Sequence, residues 1–227
     1  MRIAAVVFPR LTQLDLAGPY EVFSRVAGEE VMLVARSLEA VRSEFGLAIA
    51  PTNTFHDAPQ ADVLFCPGGP GANEAMLDDE LLSFVRNQAQ AARYVTSVCT
   101  GALILGAAGL LDGYRAATHW TAMEFLAEFG ATAVDERVVR DRNRITAGGV
   151  TAGIDFALAV VAELHGSELA KQIQLTIEYD PHPPFDSGHP SRAAAWTLAT
   201  VKAARADAQE RRRAAVREAV QRLGKLR

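Results

Sequence analysis

In Tyr94-Val-Thr-Ser-Val-Cys-Thr-Gly-Ala-Leu-Ile-Leu-Gly-Ala-Ala-Gly109, a β-branched apolar run ends at Cys99 and a small-residue helical run begins at once. Such a junction is a sharp strand-to-helix turn, and it constrains the chain to a fold in which strands feed directly into helices. The turn also sets a thiol close to unpaired helix N–H groups and the positive end of a macrodipole, which favour thiolate over thiol. Thr100 and Gly101 follow immediately, and a small residue there allows the close helix–strand approach of a nucleophile elbow. A free cysteine more often packs as a small hydrophobe. In this context Cys99 is expected to be reactive.

The rest of the chain alternates in the same way. Strands are predicted at Ile3–Phe8, Glu30–Ala35, Ala61–Cys66 and around Arg115–Thr118, with an irregular hairpin segment at Leu47–Phe55. Helices are predicted at Pro19–Val26, with Gly18 and Pro19 at its start, and at Asp78–Ala92, with acidic residues in its first turn. Further helices are expected at Thr100–Ala108, Thr121–Phe129 and Thr151–Leu164, and a hairpin at Arg137–Ile145 turns at Asp141-Arg-Asn143. Strands separated by helix-length segments imply an α/β fold with a doubly wound, mostly parallel sheet flanked by helices on both faces. The expected organisation is one domain over residues 1–190, a turn-rich connection at Pro181–Pro190, and a C-terminal basic helix over 191–227.

In this class of sheet, ligands bind beyond the carboxyl ends of the strands. Asp15, Pro67-Gly-Gly, Cys99, His119 and Gly148-Gly149 all fall there. Gly68 and Gly69 form either a structural turn or a backbone that approaches Cys99 and donates N–H bonds to a charged intermediate. No Lys-Ser/Thr follows them, and their spacing is not that of a dinucleotide fingerprint. Asp15 either caps the following helix or stands as an acid near the thiol, where desolvation and like charge would keep it protonated. His119 is a base for Cys99, a pocket wall or a hydrogen-bonded core histidine. Trp120 and Val150 are candidates for substrate contact, while Cys66 reads as inert packing.

Two cysteines make neither a disulfide framework nor a metal-ligand pattern, which suits a reducing cytoplasm. No apolar run approaches the ~20 residues a membrane span needs, and Pro9 cuts short the apolar N-terminus, so a first strand is expected there instead of a signal peptide. Residues 202–227 carry a net charge of +6, leaving −10 elsewhere in a chain whose total is −4. Val216, Val220 and Leu223 nevertheless recur at i, i+4 and i+7, which predicts an amphipathic helix that docks on its own domain or a twin subunit. Nucleic acid is not an expected partner, because the acidic body would repel phosphates.

Taken together, six segments resemble the ThiJ/PfpI superfamily, relatives of the class I glutamine amidotransferases, from about Ile3 to Phe185. They are Gln13–Val22, Pro67–Gly71, Ala92–Gly101, Leu105–Leu111, Ala117–Trp120 and Gly148–Leu158. The resemblance implies a flavodoxin-like fold, a homodimer, no cofactor, and, in the isonitrile-hydrating branch, addition of water to R–NC to give a formamide. It implies Cys99 as nucleophile, Asp15 as acidic partner and Thr100 as the hydratase residue beside the thiol. Protease-like members carry His after the nucleophile, and Thr100 stands here instead. The N-terminal domains of AraC-like regulators share the Ser-Val-Cys-Thr-Gly and Thr-His-Trp segments. A ligand-sensing domain without its DNA-binding module, or another cysteine-dependent hydrolase, is therefore the alternative.

Overall fold

The computed structural model describes residues 1–225, so Leu226 and Arg227 of the expected tail lie outside the described residues. In chain order the elements begin with β1 (Arg2–Val6), α1 (Gln13–Phe23), β2 (Glu30–Ala35), β3 (Val41–Arg42), β4 (Ala48–Ile49), β5 (Asn53–Thr54) and β6 (Val63–Cys66). Next come α2 (Ala72–Ala75), α3 (Asp79–Ala91), β7 (Tyr94–Val98), α4 (Gly101–Ala107), β8 (Arg115–Ala116) and β9 (Thr132–Ala133). The chain continues through β10 (Val138–Asp141), β11 (Arg144–Ala147), α5 (Ala152–His165), α6 (Ser167–Thr176), α7 (Ala195–Ala204) and α8 (Ala206–Gly224).

Seven strands form one sheet in the order β10-β11-β7-β6-β1-β2-β5, parallel except for the β10–β11 hairpin at one edge. Every residue of β6 and β7 is buried, as continuous apolar runs covered on both faces should be. Helices α1, α5 and α6 pack together as one group, and α2, α3, α4 and α8 as another. Phe23, Phe65 and Phe156 join α1, β6 and α5, with ring centroids 5.4–6.2 Å apart. The doubly wound, flavodoxin-like class read from the sequence is the fold observed.

Local differences have identifiable causes. Helix α1 starts at Gln13, six residues before the expected Pro19. The Thr12 N–H is tied to the Gly68 carbonyl (2.9 Å), and the Thr12 carbonyl accepts from Asp15 N–H (3.0 Å), so the first turn closes early. Pro19 sits inside the helix with no N–H for the Asp15 carbonyl. Its ring lies against Gly153 of α5, where an added Cβ would come within 3.1 Å of it. The expected helix at Thr121–Phe129 is instead two 3₁₀ turns, Trp120–Phe125 and Ala127–Phe129. Within Leu47–Phe55, β4 pairs back to β3 and β5 adds to the sheet beside β2. The tail forms two helices where one was expected: α7 buries no residue, whereas α8 lays Ala215, Val216 and Ala219 against α2, α4 and the 3₁₀ turns.

Candidate active site

Strand β7 delivers Cys99 to the carboxyl edge of the sheet, and α4 leaves two residues later. Cys99 adopts φ 53°, a left-handed conformation that costs a non-glycine residue about 1–3 kcal/mol. Three hydrogen bonds hold it there. Its N–H is shared between the carbonyls of Ala147 (3.1 Å) and Gly148 (3.0 Å), and its own carbonyl accepts from Thr118 Oγ1 (2.7 Å). Gly101 makes the turn possible, since a Cβ there would collide with the Cys66 carbonyl oxygen of the neighbouring strand. Gly149 closes on the other side. A Cβ there would lie 2.9 Å from the Cys99 sulfur and 2.5 Å from His119 Cδ2.

Asp15, in the first turn of α1, faces this sulfur. Its side chain is fully buried, and neither carboxyl oxygen has a well-formed hydrogen bond among the described residues. The capping alternative is thereby set aside, because Thr12 occupies the cap position and Asp15 binds no end-of-helix N–H. Burial pushes the Asp15 carboxyl up to about 7, against opposing pulls from the Cys99 thiol and the Gly68 N–H, with Glu44 adding to the rise. The Cys99 thiol is also pushed well up, first by burial and then by the Asp15 charge. The expectation that the helix end would depress it is corrected here. The Thr100 N–H and Arg212 do pull towards thiolate, but burial and Asp15 outweigh them. Two acids that each resist ionisation beside the other hold their protons more tightly than either would alone, so the pair keeps at least one of them near neutral pH.

The Thr100 hydroxyl is spent on the glycine loop. It donates to the Gly69 carbonyl (3.0 Å) and accepts the Gly69 N–H (2.9 Å). Gly69 therefore has no N–H left for an intermediate, and the backbone donors that face the Asp15–Cys99 pair are those of Gly68 and Thr100. His119 caps the first 3₁₀ turn, with Nδ1 accepting the Thr121 N–H at 3.2 Å. Burial, helped by Arg205 and Arg212, lowers its pKa to about 4. Nδ1 also lies 2.8 Å from Thr121 Oγ1, so this nitrogen of the neutral ring is engaged by Thr121 and turned away from a role as base. Of the sequence alternatives, a pocket wall held by hydrogen bonds to Thr121 fits this geometry.

The cleft over the sulfur is small, about 70 Å³, and is bounded by Gly69, Cys99, Thr100, His119 and Val150 together with Arg205 and Arg212. Trp120 does not reach it. Its ring, 5.7 Å from that of His119, lines an adjoining groove of about 480 Å³ that shares Thr121 and Arg205 with the cleft. Sequence reasoning missed Arg205, Arg212, Thr12 and Glu44. For Arg212 a signal existed: it lies four residues before Val216, inside the apolar stripe of α8. Cys66 is fully buried and far up its own titration for that reason alone.

The chain is similar to known proteins in sequence and fold. The chain is 52% identical over 193 residues to the isonitrile hydratase of Pseudomonas putida, a match covering 85% of each chain. It is 30% identical over 186 residues to the HTH-type transcriptional regulator GbdR of Pseudomonas aeruginosa, covering 78% of this chain but 50% of the regulator. A ThiJ/PfpI family protein from Pseudomonas syringae superposes with a TM-score of 0.93 at 46% identity, over 95% of this chain and 90% of that one. The DJ-1/PfpI family profile matches residues 1–163, which span the sheet, the cysteine elbow and most of α5. The chain belongs to the DJ-1/PfpI family.

Proposed function

We propose that this protein hydrates isonitriles, with Cys99 as nucleophile and Asp15 as general acid and base. The observation that carries the reading is that the fully buried Asp15 carboxyl faces the Cys99 sulfur at the end of the sheet. The likeness to the Pseudomonas putida hydratase supports it. An isonitrile, R–N≡C, is neutral, and its terminal carbon must accept both a nucleophile and a proton. The sulfur attacks that carbon, a C–S bond forms, and Asp15 delivers its proton to the same carbon, leaving a thioimidate, R–N=CH–S. Asp15, now ionised, takes a proton from water as the hydroxide oxygen adds to the carbon. Collapse breaks the C–S bond, returns the sulfur as thiolate and moves the remaining hydroxyl proton to nitrogen. The product is R–NH–CHO, and both residues end as they began. The scheme balances without a redox partner or metal.

Thr100 acts in this reading as a positioning residue that locks the Gly68–Gly69 loop, and Val150 and His119 wall the cleft. A cytoplasmic setting keeps the thiol reduced, and no helix among the described residues is long and apolar enough to cross a membrane. A homodimer completes the reading. Leu175, Phe185 and Trp196 are the most apolar side chains left open on the region around α6 and α7, between 74% and 82% exposed. Sedimentation should therefore give twice the 24.4 kDa chain mass, and a 24.4 kDa species at micromolar concentration would reject the dimer.

The direct test follows formamide release from cyclohexyl isocyanide. Cys99→Ala should abolish it, and mass spectrometry during turnover should find the adduct on Cys99 and none on Cys66. Retained turnover in Cys99→Ala ends the nucleophile assignment. His119→Ala should be nearly silent; a severe loss would favour carbonyl chemistry with His119 as base. A wild-type chain that binds isocyanides without consuming them would favour ligand sensing, as its likeness to GbdR would then suggest.

A further inference from the structure

The C-terminal helices bring two cations to the cleft that the hydration scheme does not use. Arg212 is 7% exposed, yet it has no acidic partner within ion-pair distance among the described residues. Its Nη1 reaches only neutral acceptors, Gln209 Oε1 at 2.6 Å and Thr121 Oγ1 at 3.1 Å, and its buried Nε has no hydrogen-bond partner among the described residues. Arg205 borders the same cleft and likewise has no carboxylate within ion-pair range among the described residues. The neighbouring tail arginines are treated differently. Arg213 is paired with Glu124 and Glu210, and Arg222 with Glu218 and Asp79. Glu44, on the opposite rim, accepts from the Thr12 hydroxyl at 3.0 Å and is not within ion-pair distance of either arginine.

Burying a guanidinium without a counter-ion is expensive, and a planar fork of donors matches a carboxylate. Cys99, when ionised, attracts Arg212 without a hydrogen bond to it, and a neutral R–NC adds no carboxylate for the guanidinium fork. We propose, resting on the hydratase reading, that Arg205 and Arg212 form an oxyanion-binding subsite beside Cys99, and that the preferred isonitriles carry a carboxylate on R. The cleft accommodates the isonitrile carbon at the sulfur. Arg205 stands at the junction with the larger groove, so a short R group runs from the thiol past Thr121 with its carboxylate between the two guanidinium groups.

Alkylation tests the subsite without relying on turnover. Iodoacetate and iodoacetamide both react as the sulfur electron pair forms an S–C bond and iodide leaves, and only the first carries a carboxylate. The iodoacetate-to-iodoacetamide rate ratio at Cys99, read by peptide mass spectrometry and normalised to free cysteine, should exceed unity at least tenfold. Exposed Arg205→Met should bring it down at least fivefold, and Arg212→Met, checked for cooperative unfolding, should bring it near unity while Arg212→Lys keeps part of the preference. A wild-type ratio at or below that of free cysteine, or one unmoved by Arg205→Met, overturns the subsite. In a second assay, an isocyano carboxylate should exceed its methyl ester at least tenfold in kcat/KM. If the wild type hydrates neither these nor cyclohexyl isocyanide, the hydratase reading fails, and the alkylation ratio still decides the subsite by itself.

Discussion

A carboxyl group and a thiol buried against each other hold their proton far more tightly than either would in water. For Asp15 the consequence for stability has a definite sign. A raised pKa means that the folded protein still binds a proton which the unfolded chain has released. The contribution is therefore fully present below the ordinary value of 3.8 and is lost as pH climbs towards about 7. Asp15→Asn removes that dependence. Its Tm should diverge upward from the wild type between pH 4 and 7, with an advantage of up to about 4 kcal/mol at pH 8 from roughly 1.4 kcal/mol per unit. The same variant should lose formamide production at least about 100-fold, the usual scale of a positioned acid. A Tm difference that does not grow with pH would refute the burial argument. The two acids of this site were legible in the sequence because their types are unusual where they stand: a thiol on a β-branched run's last position, an acid between leucines. What the thiol's neighbours do to its proton was not, since the helix end is local and the burial is not.

At the scale of elements, the β7–Cys99–α4 junction depends on a backbone approach that no side chain tolerates. Gly101→Ala should cost about 3 kcal/mol by overpacking against the Cys66 carbonyl, and lower Tm by roughly 6–12 °C, measured by calorimetry. An unchanged Tm would mean that the elbow relaxes freely. Strands β6 and β7 and helices α3, α4 and α5 were read to within a residue or two, because continuous apolar runs and acidic first turns are local signals. Asp78, expected as the first helical residue, instead caps α3 and accepts from Glu80 N–H and Leu81 N–H. Helix α1 was misplaced because Gly18-Pro19 reads locally as a beginning. Its true start is set by Gly68, more than fifty residues away, and its interior proline is accommodated by Gly153 of another helix. Trp120–Phe129 has a helical pattern, but its first turn is held by His119 and packed under α8, and it winds as 3₁₀.

Across the whole molecule, the C-terminal helices have the largest effect for their length. Helix α8 covers α2 and α4, so the helix that follows the nucleophile is buried beneath the end of the chain. Val216 is 1% exposed, and Val216→Asp would bury an unpaired charge there; a loss of about 3 kcal/mol or more is expected in denaturant unfolding. A change under about 0.5 kcal/mol, the range of ordinary surface substitutions, would show that α8 is only loosely docked. Part of the basic character of the tail is directed at the protein's own body. Arg213 and Arg222 turn to acidic neighbours on the body, and Arg205 and Arg212 turn to the cleft. The apolar stripe at Val216, Val220 and Leu223 predicted docking, but the stripe could not say what lay beneath it.

The order of apolar runs, glycines and caps was sufficient by itself to specify a doubly wound sheet with a cysteine at a strand end, because those signals act over a few residues and need no partner. Only the folded chain decided that Asp15 would be buried against Cys99, that His119 Nδ1 would be engaged by Thr121, and that two arginines from the C-terminal helical region would border the thiol. Those outcomes come from burial and charge between segments far apart in sequence, and their sign depends on which groups share a space, which no local pattern records.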